Sequence, residues 1–213
     1  MMEAVANVPA AVSAYFSSLS RSETNQVKTR SEGELSVQSG ITVVTKQRGK
    51  ALHNVGFHKT NKLQLYPEEA TCLAHRGVLD IYASNDLSRV LSLREISDRL
   101  HVHVPRECRE VYCFLKERQF IPRRHRGHNI AHIPRVSTAE HVEFAYDVYG
   151  PGKKAALPLF RAIVCRMTDS MPDIEVLLQQ MGDDDVVPVK IFVCDAEGGV
   201  LPMEIGKLTL ETS

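Results

Sequence analysis

The sequence predicts an α+β protein in two parts, a small winged-helix-like amino-terminal domain followed by a mixed α/β domain. Three observations carry that expectation. A strand–helix–strand unit with both helix ends marked lies at residues 63–82, LQLYPEEATCLAHRGVLDIY. Two further helix starts follow at Ser92 and Pro105, with a strand-like segment behind them. From Phe144 onward, short apolar runs bounded by Gly, Pro and Asp alternate with one amphipathic segment. A chain of 213 residues allows one large domain or two small ones and can bury a real core. The predicted division is a disordered tail over residues 1–40, the amino-terminal domain over 41–128 and the second domain over 129–213.

The tail rests on residues 19–40, LSRSETNQVKTRSEGELSVQSG, which are polar, Ser-rich and poor in aromatics. Ile41 to Thr45 reads as a short strand, and the basic run Lys46 to Lys50 leads into the strand–helix–strand unit. There Pro67 opens the helix, because its fixed φ suits the first turn and its missing N–H is not needed. Glu68 and Glu69 set negative charge against the positive end of the helix dipole. Arg76 lies in the last turn, and Gly77 can take the left-handed conformation that stops a helix. Val78, Leu79, Ile81 and Tyr82 then have strand character, and residues 85–91 form a connection.

Ser92-Leu93-Arg94-Glu95 is a capping box that starts a short helix to about Leu100. Pro105 opens a longer helix to about Gln119, with an apolar stripe of Val111, Phe114 and Leu115. Residues 120–124 are a strand, and residues 125–143 connect the two parts. In the second domain, residues 144–149 and 159–167 are strands on either side of a Gly150-Pro151-Gly152 turn. Residues 173–181 form an amphipathic helix through Ile174, Leu177, Leu178 and Met181. Residues 186–194 are a strand, 195–199 a turn, and 200–210 one or two closing strands.

The balanced charge conceals a division. Residues 1–136 hold 20 Lys+Arg against 13 Asp+Glu, a net +7, and residues 137–213 hold 6 against 13, a net −7. Such a split suits contact with nucleic acid at the front and with a basic partner at the back, or two solvated surfaces. No apolar run is long enough to cross a membrane. The opening, with Glu3 and no basic residue before Arg21, fits neither a secretory signal nor a transit peptide. Five cysteines, an odd count, point to a reducing compartment. Cys72 and His75 have C-x-x-H spacing and His101 and His103 alternate, but no second pair completes a structural zinc set. No metal and no cofactor are expected.

The wording of residues 49–77 is specific. Gly49-Lys50, Gly56, Leu63, Leu65, Pro67-Glu68-Glu69-Ala70 and Arg76-Gly77 resemble the amino-terminal domain of the large, non-catalytic ("fifty-four-type") subunit of the eukaryotic tRNA-splicing endonuclease. The Lys-Gly order is reversed here, and the family's following Trp is absent from a chain with no Trp. EVYCFLKERQFIPRR resembles the Y-x-x-L-(K/R)-E-R-G-(Y/F) helix end of these endonucleases, with Gln119 in place of Gly. A left-handed stop at Gln119 costs about 1 kcal/mol more than at Gly. FAYDVYGPG and VKIFVCDAEGGV are similar to the family's nuclease domain, so the second domain is expected to be tRNA-intron-endonuclease-like.

That resemblance implies a degenerate site. Catalytic subunits use a Tyr, a His and a Lys, for proton transfer and for charge on the phosphate. Those positions fall on Tyr149, on Phe160, and on Val187 or Pro188, with Lys190 nearby. Phe exchanges no proton, and neither Val nor Pro carries charge, so no catalytic residue is expected and Tyr149 reads as packing. The implied partners are precursor tRNA and the other subunits of a heterotetramer, in the nucleus or alternatively the cytoplasm. Arg118, Arg123, Arg124, Arg126 and Arg135 are the candidate RNA contacts, open alternatively to reading as a solvated linker. Asp195 and Glu197 in the acidic turn, with Val200, Leu208 and Leu210 behind it, are the candidate subunit interface. Two rivals stand beside this reading: a free-standing winged-helix nucleic-acid-binding protein whose second domain only dimerises, and an active nuclease with a displaced catalytic set.

Overall fold

A computed structural model describes residues 30–84, 86–125, 133–151, 157–173 and 187–204. Among them, eleven strands and three helices build two sheets. The first contains β1 (Ser31–Leu35), β2 (Thr42–Lys46), β3 (Phe57–Lys59), β4 (Lys62–Leu65), β5 (Leu79–Ala83) and β6 (Asp86–Val90), in the order β3-β4-β2-β1-β5-β6. Only β1 and β5 run parallel; the other neighbours are antiparallel. The second contains β7 (Ile121–Arg124), β8 (Tyr146–Tyr149), β9 (Phe160–Arg166), β10 (Val189–Cys194) and β11 (Val200–Glu204), in the order β11-β10-β9-β8-β7. The helices are α1 (Pro67–His75), α2 (Leu93–Leu100) and α3 (Arg106–Glu117). The α+β class is as the sequence predicts.

Helix boundaries follow the local chemistry. Pro67 sits in the first turn of α1, and Gly77 has φ +66° just past its end. At α2 the Ser92 hydroxyl accepts from the Glu95 N–H while the Glu95 carboxylate accepts from the Ser92 N–H. Gln119 takes φ +65° after α3, the left-handed stop expected at that position. His103 and Val104 close the short link between α2 and α3 by donating their N–H groups to the Leu100 carbonyl.

Three differences have physical causes. The tail expected over 1–40 ends early, because Ser31–Leu35 is an interior strand between β2 and β5. Its inward positions are Ser31, Gly33 and Leu35, so only one large apolar residue marks the buried face. Gly33 is small for a reason: a Cβ there would lie 2.8 Å from Thr42 Cγ2. Residues expected as a connection instead form β6, which is exposed at all five positions and so lacks a strand's alternation. Lastly, β7 pairs with β8 and belongs to the second sheet, although the expected boundary at 128 leaves it in the first domain. The amino-terminal part, with six strands, also carries more sheet than the anticipated small winged-helix order. The expected helix at 173–181 lies almost wholly outside the described residues.

Helix α3 joins the two parts. Its Cys108, Val111, Tyr112 and Leu115 pack with Tyr146, Val148, Phe160, Ala162 and Phe192 on one face of the second sheet. Cys72 of α1 belongs to that same cluster, and α1 packs along α3. A second cluster of Val142, Phe144, Ile163, Cys165, Val189, Ile191 and Val193 covers the sheet's other face. The amino-terminal sheet has its own core around Leu35, Leu65, Leu73, Ile81, Ile96 and Leu100.

Candidate nucleic-acid interface

Tyr149 and Phe160, the positions expected to correspond to a nuclease's Tyr and His, point to opposite faces of the second sheet. Val148 pairs with Phe160 across β8 and β9 and shares its cluster on the α3 face. Tyr149 follows Val148 and so points to the opposite face. Phe160 is 5% exposed, with Phe120 edge-on at 5.5 Å and Phe192 stacked at 6.1 Å. Lys190 Nζ lies 5.0 Å from the Phe160 ring centroid and 3.2 Å from Glu204. Pro188 is exposed, and its carbonyl accepts from the Arg161 N–H. The Phe160 ring therefore fills core space, with no ionisable group beside Tyr149 from that strand position.

The candidate RNA-contacting arginines separate. Arg118 is exposed, with its guanidinium 3.4 Å from the Phe114 ring centroid, and Arg135 is exposed. Arg123 is exposed on β7 and lies 5.6 Å from the Tyr149 ring centroid. Arg126 lies outside the described residues. Arg124 is a correction. The two-residue period of β7 turns it inward, where Nε and Nη2 bond the two Glu68 carboxylate oxygens at 2.7 and 2.8 Å. Buried on both sides, that fork joins the second sheet to α1 and leaves Arg124 no phosphate to meet.

The acidic turn is likewise more structured than its composition suggests. Asp195 Oδ1 accepts from the N–H groups of Glu197 and Gly199, so this acid builds the turn and those bonds hold its carboxyl below the usual range. Arg106 Nη1 donates to the Ala196 carbonyl at 2.9 Å, tying the turn to α3. Glu197 remains exposed. Of the candidate closing-strand residues, Val200 is half-buried in β11, whereas Leu208 and Leu210 lie outside the described residues.

Between β3 and β7, the end strands of the two sheets among the described residues, lies a cleft of about 730 Å³ that no stretch of the sequence points to. Its floor is aromatic: Tyr66 and Phe57 have ring centroids 4.7 Å apart, and the Arg124 guanidinium sits 3.9 Å from the Tyr66 centroid. Tyr66 is 4% and Tyr112 2% exposed, and neither hydroxyl has a hydrogen-bond partner among the described residues. Glu69 Oε1 accepts from the Gly56 N–H and Oε2 from the Tyr66 N–H. Gly56 has φ +67°, and a Cβ there would lie 2.3 Å from the Gln64 carbonyl, so only glycine brings this amide to Glu69. Burial, then repulsion from Glu68, pushes the Glu69 carboxyl up to about 7. His58, Lys59, Arg123 and Tyr149 form the rim. Five separate segments make this cleft, which is why no local motif marks it.

Cys72 and His75 differ in burial, the one enclosed and the other exposed. Among the described residues no helix is long and apolar enough to cross a membrane.

Residues 16–83 match the family model described as tRNA-splicing endonuclease subunit sen54 N-term. Where described, that span is β1 through β5 with α1, and it starts within the segment expected as a tail. No curated protein matches the chain.

Proposed function

We propose that the chain, whose residues 16–83 match a Sen54-type amino-terminal domain, is a tRNA-splicing endonuclease subunit and that it is the non-catalytic, structural one. In this reading it pairs with a catalytic subunit inside a heterotetramer, in the nucleus, and helps to hold precursor tRNA. The complex then excises the intron, leaving 2′,3′-cyclic phosphate and 5′-hydroxyl ends. The family match at residues 16–83 carries the proposal. The buried Phe160 supports its non-catalytic side, because a nuclease of this kind needs a proton-exchanging group where that ring packs. Exposed Arg118, Arg123 and Arg135 support contact with phosphate.

Two measurements test this. A tagged chain should recover nuclease subunits that carry an intact Tyr, His and Lys, and the recovered complex should cut precursor tRNA. The purified chain alone should not. Metal-independent cleavage by the isolated chain, lost on Tyr149→Phe, would overturn the non-catalytic assignment. Recovery of no nuclease subunit would favour a free-standing nucleic-acid-binding protein instead.

A further inference from the structure

We propose that the cleft between β3 and β7 receives one unstacked nucleotide of RNA, its base against Tyr149 and its phosphate between Arg123 and Lys59. The inference rests on the tRNA-binding reading above and names a site for it. Charge favours an anion at the rim. Arg123 and Lys59 are exposed and have no ion-pair partner among the described residues. The acids nearby are already engaged: Glu68 with Arg124, Asp147 with His125 at 2.9 Å and Arg161 at 3.7 Å, and Glu69 with two backbone amides. What remains toward the opening is cationic.

The interior favours a base over a bare phosphate. Tyr149 is half-buried and presents a ring beside Arg123, an aromatic–guanidinium pair of the kind on which bases stack. The Tyr66 and Phe57 rings, with centroids 4.7 Å apart, add aromatic lining to the same cleft. The cleft, about 730 Å³, is within the range of small-molecule sites and large enough for a nucleotide. It is not a cleavage site, since Phe160 faces the other side of the sheet.

The test uses the full chain with a labelled short single-stranded RNA, and with a duplex of the same sequence as competitor. Tyr149→Ala should weaken single-strand binding by about tenfold, while Tyr149→Phe, which keeps the ring, stays within about twofold. Arg123→Ala should reduce the salt slope by about 0.7, one single-strand phosphate. The duplex should compete poorly. Photocrosslinking of 4-thiouridine RNA to the wild-type chain should label peptides containing Tyr66, Tyr149 or Arg123, which keeps the idea testable if Tyr149→Ala unfolds. Unchanged affinity in Tyr149→Ala, or crosslinks confined to other peptides, would overturn the cleft. If Arg118→Ala with Arg135→Ala still weakened binding, tRNA contact would survive that failure. A wild-type chain that binds no RNA, alone or with its co-expressed subunits, would sink both.

Discussion

Adjacent carboxyls on α1 sit in opposite circumstances. Glu68 is buried and held by two Arg124 hydrogen bonds, so removing either partner leaves a buried charge at a cost of about 3–5 kcal/mol. Glu69 is buried beside it without a bonded cation, and its carboxyl is pushed up to about 7 by burial first and by Glu68 second. The amides of Gly56 and Tyr66 and the charge of Arg124 offset part of that. An acid whose folded pKa exceeds its ordinary value of 4.5 favours folding most at low pH. That contribution is full below about pH 4.5 and is lost as pH rises to about 7, a change of about 3 kcal/mol. Glu69→Gln does not titrate, so wild type should lose about 3 kcal/mol relative to the variant over this window, read from urea unfolding at each pH. The amide cannot accept both backbone N–H bonds, which lowers the variant at every pH and leaves the slope difference intact. Parallel profiles would mean that Glu69 ionises in the fold as readily as in the open chain.

At the scale of elements, α3 ends on a residue that its backbone does not suit. Gln119 holds φ +65°, with its N–H bonded to the Lys116 carbonyl and the Phe120 N–H to the Leu115 carbonyl. Gln119→Gly should therefore stabilise the chain by about 1 kcal/mol, and Gln119→Val should destabilise it, because a β-branched side chain is worse there. Thermal unfolding reads both as Tm shifts of opposite sign, about 2–4 °C for the glycine variant. An unmoved Tm in both would mean that the turn relaxes at no cost. This stop is legible in the residues themselves, as are both ends of α1 and the Ser92–Glu95 box, since each depends on side chains within one helical turn. Strand β1 is hidden because Ser31 and Gly33 give its buried face no apolar signal. Arg124 misleads for a related reason: one-residue alternation decides whether Arg123 or Arg124 faces solvent, and neighbouring sequence does not set that register. The cleft is illegible outright, since Lys59, Tyr66, Arg123 and Tyr149 meet only where the two sheets come together.

Across the whole molecule, α3 and the Glu68–Arg124 fork lock the two sheets together, so surfaces on the second sheet are presented by a braced body. Two of those surfaces carry the proposed assembly, and their physics differs. The 195–199 turn offers charge: Asp195 is consumed in shaping it, Arg106 anchors it, and Glu197 is the acid left outward. Among the described residues, strand β11 is an edge, with Leu201 54% and Met203 43% exposed. Its Pro202 has no N–H to give, so a partner strand gains less from backbone pairing there and more from those apolar side chains. In the proposed heterotetramer the turn inserts into a basic cleft across the assembly, and β11 meets the direct partner. Glu197→Lys should then split the tetramer into heterodimers, with Asp195→Asn, which keeps the turn's acceptor oxygen, as the intact control. Leu201→Asp with Met203→Asp should prevent the heterodimer itself, by placing charge where apolar area is to be buried. Size-exclusion with light scattering on co-expressed subunits distinguishes these masses. Glu197→Lys protein that still runs as a full tetramer at physiological salt would remove the turn from the assembly, and a heterodimer that survives both aspartates would remove β11.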